Sequence, residues 1–147
     1  MSKYTNLFNK IQEAVYPAYG TKYTYGVLQE NNKTHLAKAH SYLILLLEII
    51  IHEHRAKYAT AFASIKGVEA LKHKLLIDKV ASIHELSDIS LECIVFALLK
   101  DLRLENLPLS AQTGLEKIKL TETGDDIDLG LALNWNLGDG QMILSQD

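Results

Sequence analysis

Apolar positions recur along this chain at two different periods, helical in the first two thirds and alternating in the last. Tyr4, Leu7, Phe8, Ile11 and Val15 keep helical spacing until Pro17 interrupts it, while Asn6, Lys10 and Glu13 supply a polar face, so the first segment is predicted to be an amphipathic helix. The turn-rich stretch that follows lets Tyr23, Tyr25 and Val27 alternate with polar or small residues, as in a short strand. From Thr34, taken as an N-cap, to Ile65 there is no Pro or Gly, and Leu36, His40, Leu43, Leu47, Ile50, His54, Tyr58, Ala61 and Ile65 are spaced by three or four. One long central helix over 34–65 is expected. It would run about 48 Å at 1.5 Å per residue, so it is a strut through the domain or is bent or broken near Gly67. Val68, Leu71, Leu75 and Val80 continue a helical period, Ser82 and Glu85 have capping-box spacing, and Ile89–Leu102 reads as a helix with Cys93, Phe96 and Leu99 along one face.

Beyond Pro108 the period becomes two. Ile118 and Leu120 alternate with Lys117, Lys119 and Thr121, and Gly124-Asp125-Asp126 signals a turn. Ile127, Leu129, Leu131, Leu133 and Trp135 then alternate with Asp128, Gly130, Ala132, Asn134 and Asn136. A second turn, Gly138-Asp139-Gly140, leads into Gln141–Ser145. The pattern predicts a C-terminal three-stranded antiparallel meander covered by the N-terminal helices, an α+β class, in a single domain spanning 1–147.

Composition narrows the function classes without naming one. With 147 residues, 48% hydrophobic and 22% charged, and only two Pro, the chain is globular rather than disordered or low-complexity. The lone Cys93 cannot form an internal disulfide and sits in an apolar context that predicts a buried, inert thiol. The opening residues lack the pattern of a secretory leader, so a cytoplasmic location is expected. The apolar run Leu43–Ile51 is broken by Glu48 and falls short of the roughly 20 residues that cross a bilayer, so no membrane partner is expected. Charge is distributed unevenly: residues 1–81 carry +5 and residues 82–147 carry −8, with no basic residue after Lys119. Nucleic acid is therefore excluded as a partner of the C-terminal region, because its phosphates would be repelled.

Candidate chemistry is sparse. Glu48 and His52, four apart, share a helix face with Ser41 and Arg55, a polar line read as a solvent-facing or salt-bridged stripe. His54 diverges from His52 by about 200° and cannot join it on an ion. Glu69 and His73 repeat the spacing among lysines, which oppose a cation. His40 and His54 fall on the apolar stripe and are read as hydrogen-bonded, partly buried imidazoles. Zinc, calcium, phosphate-loop and nucleophile-elbow patterns are missing, so neither a metal nor a cofactor is expected.

Two features remain. Tyr19, Tyr23 and Tyr25 cluster near the start and offer broad contact surfaces with polar tips. Asp125, Asp126, Asp128 and Asp139, with Trp135 between them, form an acidic region suited to steering a basic partner. The sequence thus reads as a non-enzymatic, cytoplasmic protein-binding domain. An immunity or antitoxin-like inhibitor of a basic toxin or nuclease is the kind that fits. The alternative is a small metal- or histidine-dependent enzyme on the Glu48/His52 face of the long helix.

Overall fold

The computed structural model describes residues 2–24, 31–78 and 82–146. Its centre is α2 (Asn32–Tyr58), on which α1 (Lys3–Val15) and α3 (Val68–Asp78) pack. A 3₁₀ turn, Tyr16–Tyr19, follows α1 and also lies on α2. Three short helices, α4 (Ile83–Ser87), α5 (Leu91–Ala97) and α6 (Leu109–Leu115), come next, and α5 and α6 contact α3 and α1 respectively. The last helix, α7 (Gln141–Leu144), sits across α1 and α2.

Side-chain oxygens cap these helices where the sequence supplies them. Ser2 accepts from the Thr5 amide, Asn31 from Thr34, Ser82 from Glu85 and Ser90 from Cys93, each replacing a bond that the first helical turn cannot make internally. Every residue from Ile44 to Ile51 is buried, so α2 is covered on all faces over two turns, as a helix apolar all round requires. By length and composition α2 could cross a membrane, but 67% of its most apolar 18-residue window is buried inside the fold, as in a core helix.

The expected α+β class and three-stranded meander are not formed. Among the described residues the architecture is helical, and the sole β pairing is an isolated antiparallel bridge between Thr60 and Ala63. The alternation itself survives as burial: Ile127, Leu129, Leu131, Leu133, Trp135 and Leu137 are half-buried, and the residues between them are exposed. A chain with one apolar edge needs a surface to cover that edge, not another strand. The helices provide it, with Leu133, Trp135 and Leu137 packed against the core. The expected third strand is instead α7, whose far end receives the Lys3 ammonium on the Leu144 carbonyl at 2.9 Å.

Other boundaries shift for local reasons. The long helix starts after Asn31 rather than at Thr34 and ends at Tyr58 rather than 65, where the Arg55 guanidinium binds the Ser64 carbonyl at 3.0 Å and Thr60 and Ala63 close a tight turn. Ser41 and Glu48, expected on a solvent-facing line, are fully buried. The helix expected over Ile89–Leu102 is only α5, and it buries Ile94 and the following Leu98. Cys93, Phe96 and Leu99 are left exposed, so the thiol expected in the core lies at the surface. Tyr25, Val27, Lys79 and Val80 lie outside the described residues.

Candidate functional site

The exposed stripe of α5 forms one wall of an apolar groove. Its floor is Ala39, Tyr42, Leu43 and Leu46 of α2; Val95, Phe96, Leu99 and Leu102 form the first wall, and residues 120–127 with Leu129 form the second. The open groove has a volume of about 880 Å³. Phe96 is 76% exposed, Leu99 53% and Leu120 46%, so the patch shows large side chains to water rather than a scattering of isolated ones. The charged residues lining it are Glu92, Glu122, Asp125 and Asp126, with no Lys or Arg among them. Carboxylates beside a low-dielectric apolar wall concentrate negative potential over the groove.

The structure brings together part of what the sequence singled out. Asp125 and Asp126 stand on the groove rim, and Asp125 accepts a hydrogen bond from Asn32 at the start of α2 at 3.2 Å. Asp128 and Asp139 are exposed outside the groove; the Asp139 carboxylate takes the Asn136 amide at 2.8 Å and shapes its own turn. Trp135 is half-buried against the core with its indole nitrogen enclosed, which makes it a packing residue rather than a surface anchor. Tyr23 stacks edge-on against Tyr16 and donates to Asn9 at 2.7 Å.

Sequence reading missed Phe96, Leu99, Glu92 and Glu122. A signal was present, since 91–102 carries Leu91, Ile94, Val95 and Leu98 as well as Phe96 and Leu99, more apolar surface than one core-facing stripe can bury.

Tyr19 is tied inward. Its hydroxyl lies 2.7 Å from Nδ1 of His40, a 2% exposed imidazole on α2, and the Asp128 backbone also hydrogen-bonds it. Burial lowers the His40 pKa to about 4, against a weaker upward pull from Asp128, and burial raises that of Tyr19. With Nδ1 of the neutral His40 unprotonated, the Tyr19 hydroxyl donates a hydrogen bond to it while accepting one from the Asp128 N–H. It fastens the end of the groove wall to the core.

Glu48 fastens the end of the same segment. Its carboxylate accepts the Gly138 amide at 2.9 and 3.0 Å, the Gly140 amide at 3.0 Å and the Gln141 side-chain amide at 3.1 Å. Desolvation raises its pKa, opposed by these donors and more weakly by Trp135. Both oxygens are engaged by N–H donors inside the fold, so the carboxylate serves the C-terminal segment rather than an ion shared with His52.

A second cleft, about 400 Å³, lies at the C-terminal end of α2 and is lined by His54, Tyr58, Lys74, Asp78 and Asp101 among others. Nε2 of His54 is 2.7 Å from Nδ1 of His73, and Tyr58 packs on both rings. Burial first, then the neighbouring His73 and Lys74, lower the His54 pKa to about 4. Among the described residues no group of three or more His, Cys, Asp or Glu side chains could hold a metal ion.

The two depressed imidazoles set a pH dependence. Below the ordinary value of 6.5 the unfolded chain takes up protons that folded His40 and His54 refuse until about pH 4. Their contribution is therefore whole above about pH 6.5 and is lost progressively as the pH falls toward 4. Urea midpoints should fall between pH 7 and pH 5, and the imidazole proton resonances of both residues should stay fixed across that range. Resonances moving with a midpoint near 6.5 would show that these rings are not held neutral.

These observations define a small helical domain whose open feature is an acid-rimmed apolar groove. Set against protein-family models, curated proteins and solved structures, the chain matches none.

Proposed function

We propose that this chain is a non-enzymatic protein-binding domain that captures a basic partner in the groove between α2 and α5, as an immunity or antitoxin-like inhibitor captures a basic toxin or nuclease in the cytoplasm. The observation that carries the reading is the lining itself, which joins exposed Phe96 and Leu99 to four carboxylates and no cation. Apolar surface supplies the attraction that persists after contact, and unbalanced charge selects the sign of the partner and speeds encounter. The alternative on Glu48 and His52 gains no support, because Glu48 is spent on the fold.

The test uses two variants whose changes stay on the surface. Replacing Glu92 and Glu122 by Gln and Asp125 and Asp126 by Asn keeps hydrogen-bonding capacity while removing four charges. For a basic partner recovered from cells, association at low salt should slow by about tenfold or more, with a flatter salt dependence. The double variant Phe96→Ser, Leu99→Ser should instead mainly accelerate dissociation. Neither set should shift stability by much more than about 0.5 kcal/mol per site. Equal binding of the partner by wild type and both variants would overturn the reading.

A further inference from the structure

We propose that the groove takes its partner as an added β-strand: an extended segment in which apolar residues alternate with Lys or Arg pairs along the main chain of residues 119–123. This rests on the groove being the binding site and names what binds there.

Residues 118–123 run without helix, turn or bend. The Ile118 amide bonds back to Leu115, but from Lys119 through Thr123 no main-chain N–H or C=O has a hydrogen-bond partner among the described residues. Lys119, Leu120, Thr121 and Glu122 are exposed, so the segment lies at the surface. Leu120 to Thr123 also form part of the groove wall. The groove is therefore apolar on its floor, and one of its walls is a segment whose main-chain groups have no partner among the described residues.

That combination selects among polypeptide shapes. A helix spends its own main-chain groups internally and can offer this wall nothing along its length. An extended segment brings a matching row of donors and acceptors, and successive side chains point to opposite faces. One set would enter the groove over the Leu43 and Leu46 floor and against the Phe96 wall; the other would lie toward Glu92, Glu122 and Asp126, where only cations are favoured. Five residues span about 17 Å at 3.4 Å each, so a segment of five or six residues suffices. Ile118, Thr121 and Thr123 are β-branched, which suits the wall to the pairing.

The probes are ten-residue peptides titrated into the full chain. The first alternates valine and lysine; the second alternates valine and glutamate; the third has the first one's composition at helical spacing. Two further copies of the first are N-methylated on either all the valines or all the lysines, which removes the donors from one edge of the strand at a time. The lysine peptide should bind and protect the amides of residues 119–123 from hydrogen exchange, and the glutamate peptide should bind at least tenfold more weakly. One N-methylated copy should lose at least tenfold and the other should bind nearly as well as the parent. Equal affinity of both N-methylated copies with the parent, or preference for the helical peptide, would overturn strand addition while leaving the groove as the binding site. Failure of both lysine peptides to bind would overturn the inference and the groove reading together. Dimerisation of the chain with protection of the same amides would assign the edge to a second copy and overturn the proposed occupant.

Discussion

Glu48→Ala should destabilise the fold by about 3–5 kcal/mol, because three buried N–H donors lose their acceptor at about 1–3 kcal/mol each, partly relieved as the segment shifts. The carboxylate is fully buried on the central helix and serves three donors: the Gly138 and Gly140 amides and the Gln141 side chain. Alanine provides no acceptor and leaves a gap beneath the turn, so each stranded donor costs about 1–3 kcal/mol unless the segment lifts off to let water in. Lifting off exposes Leu144 and the half-buried Trp135 and Leu137, which sets the upper end of the range. Glu48→Gln should cost less than alanine because it keeps one acceptor oxygen and fills the space, but it still destabilises because its amide donor faces a backbone donor. Urea denaturation gives the totals, and hydrogen exchange at Gly138 and Gly140 locates the loss. A cost under about 1 kcal/mol for alanine would mean that this carboxylate does not hold the C-terminal segment.

Gly67→Ala is the second large effect, about 2–4 kcal/mol from a left-handed backbone and a steric collision added together. Gly67 has φ +57°, and a Cβ there would stand 2.5 Å from the Leu137 carbonyl oxygen, a backbone atom that no rotamer change can move. Gly138 faces it with φ +107° and would place its own Cβ 3.2 Å from the Gly67 Cα. The two glycines let the start of α3 touch the C-terminal segment main chain to main chain. Gly124→Ala is the control: φ is +76°, but nothing lies within 4 Å of the added carbon, so only the conformational cost of about 1 kcal/mol applies. Equal losses at the two positions would show that the close approach at Gly67 does not matter. Because the same segment continues back to the groove wall, Gly67→Ala should also weaken partner binding, whereas the groove variants should leave stability almost untouched.

What the sequence by itself determined was local. Helical spacing in 4–15, the run without Pro or Gly after Thr34 and the Ser82/Glu85 spacing placed α1, most of α2 and one cap, because those preferences act within a few residues, while the caps at Ser2, Asn31 and Ser90 emerged only with the structure. Alternation over 127–135 likewise fixed which side chains turn inward. It could not say against what, since an irregular segment packed on helices and a strand paired in a sheet can bury the same side chains and differ in where the main-chain groups go. Tertiary structure decided that, together with everything resting on contacts distant along the chain. Glu48 became an anchor and not a ligand because residues 138–141 fold over it, and Tyr19 turned inward because His40 lies beneath it. The groove is the furthest from the sequence: which apolar face of α5 stays in water depends on how a helix of two turns is rotated on α3. That rotation is set by the packing of Ile94 and Leu98, which spacing alone does not distinguish from Phe96 and Leu99.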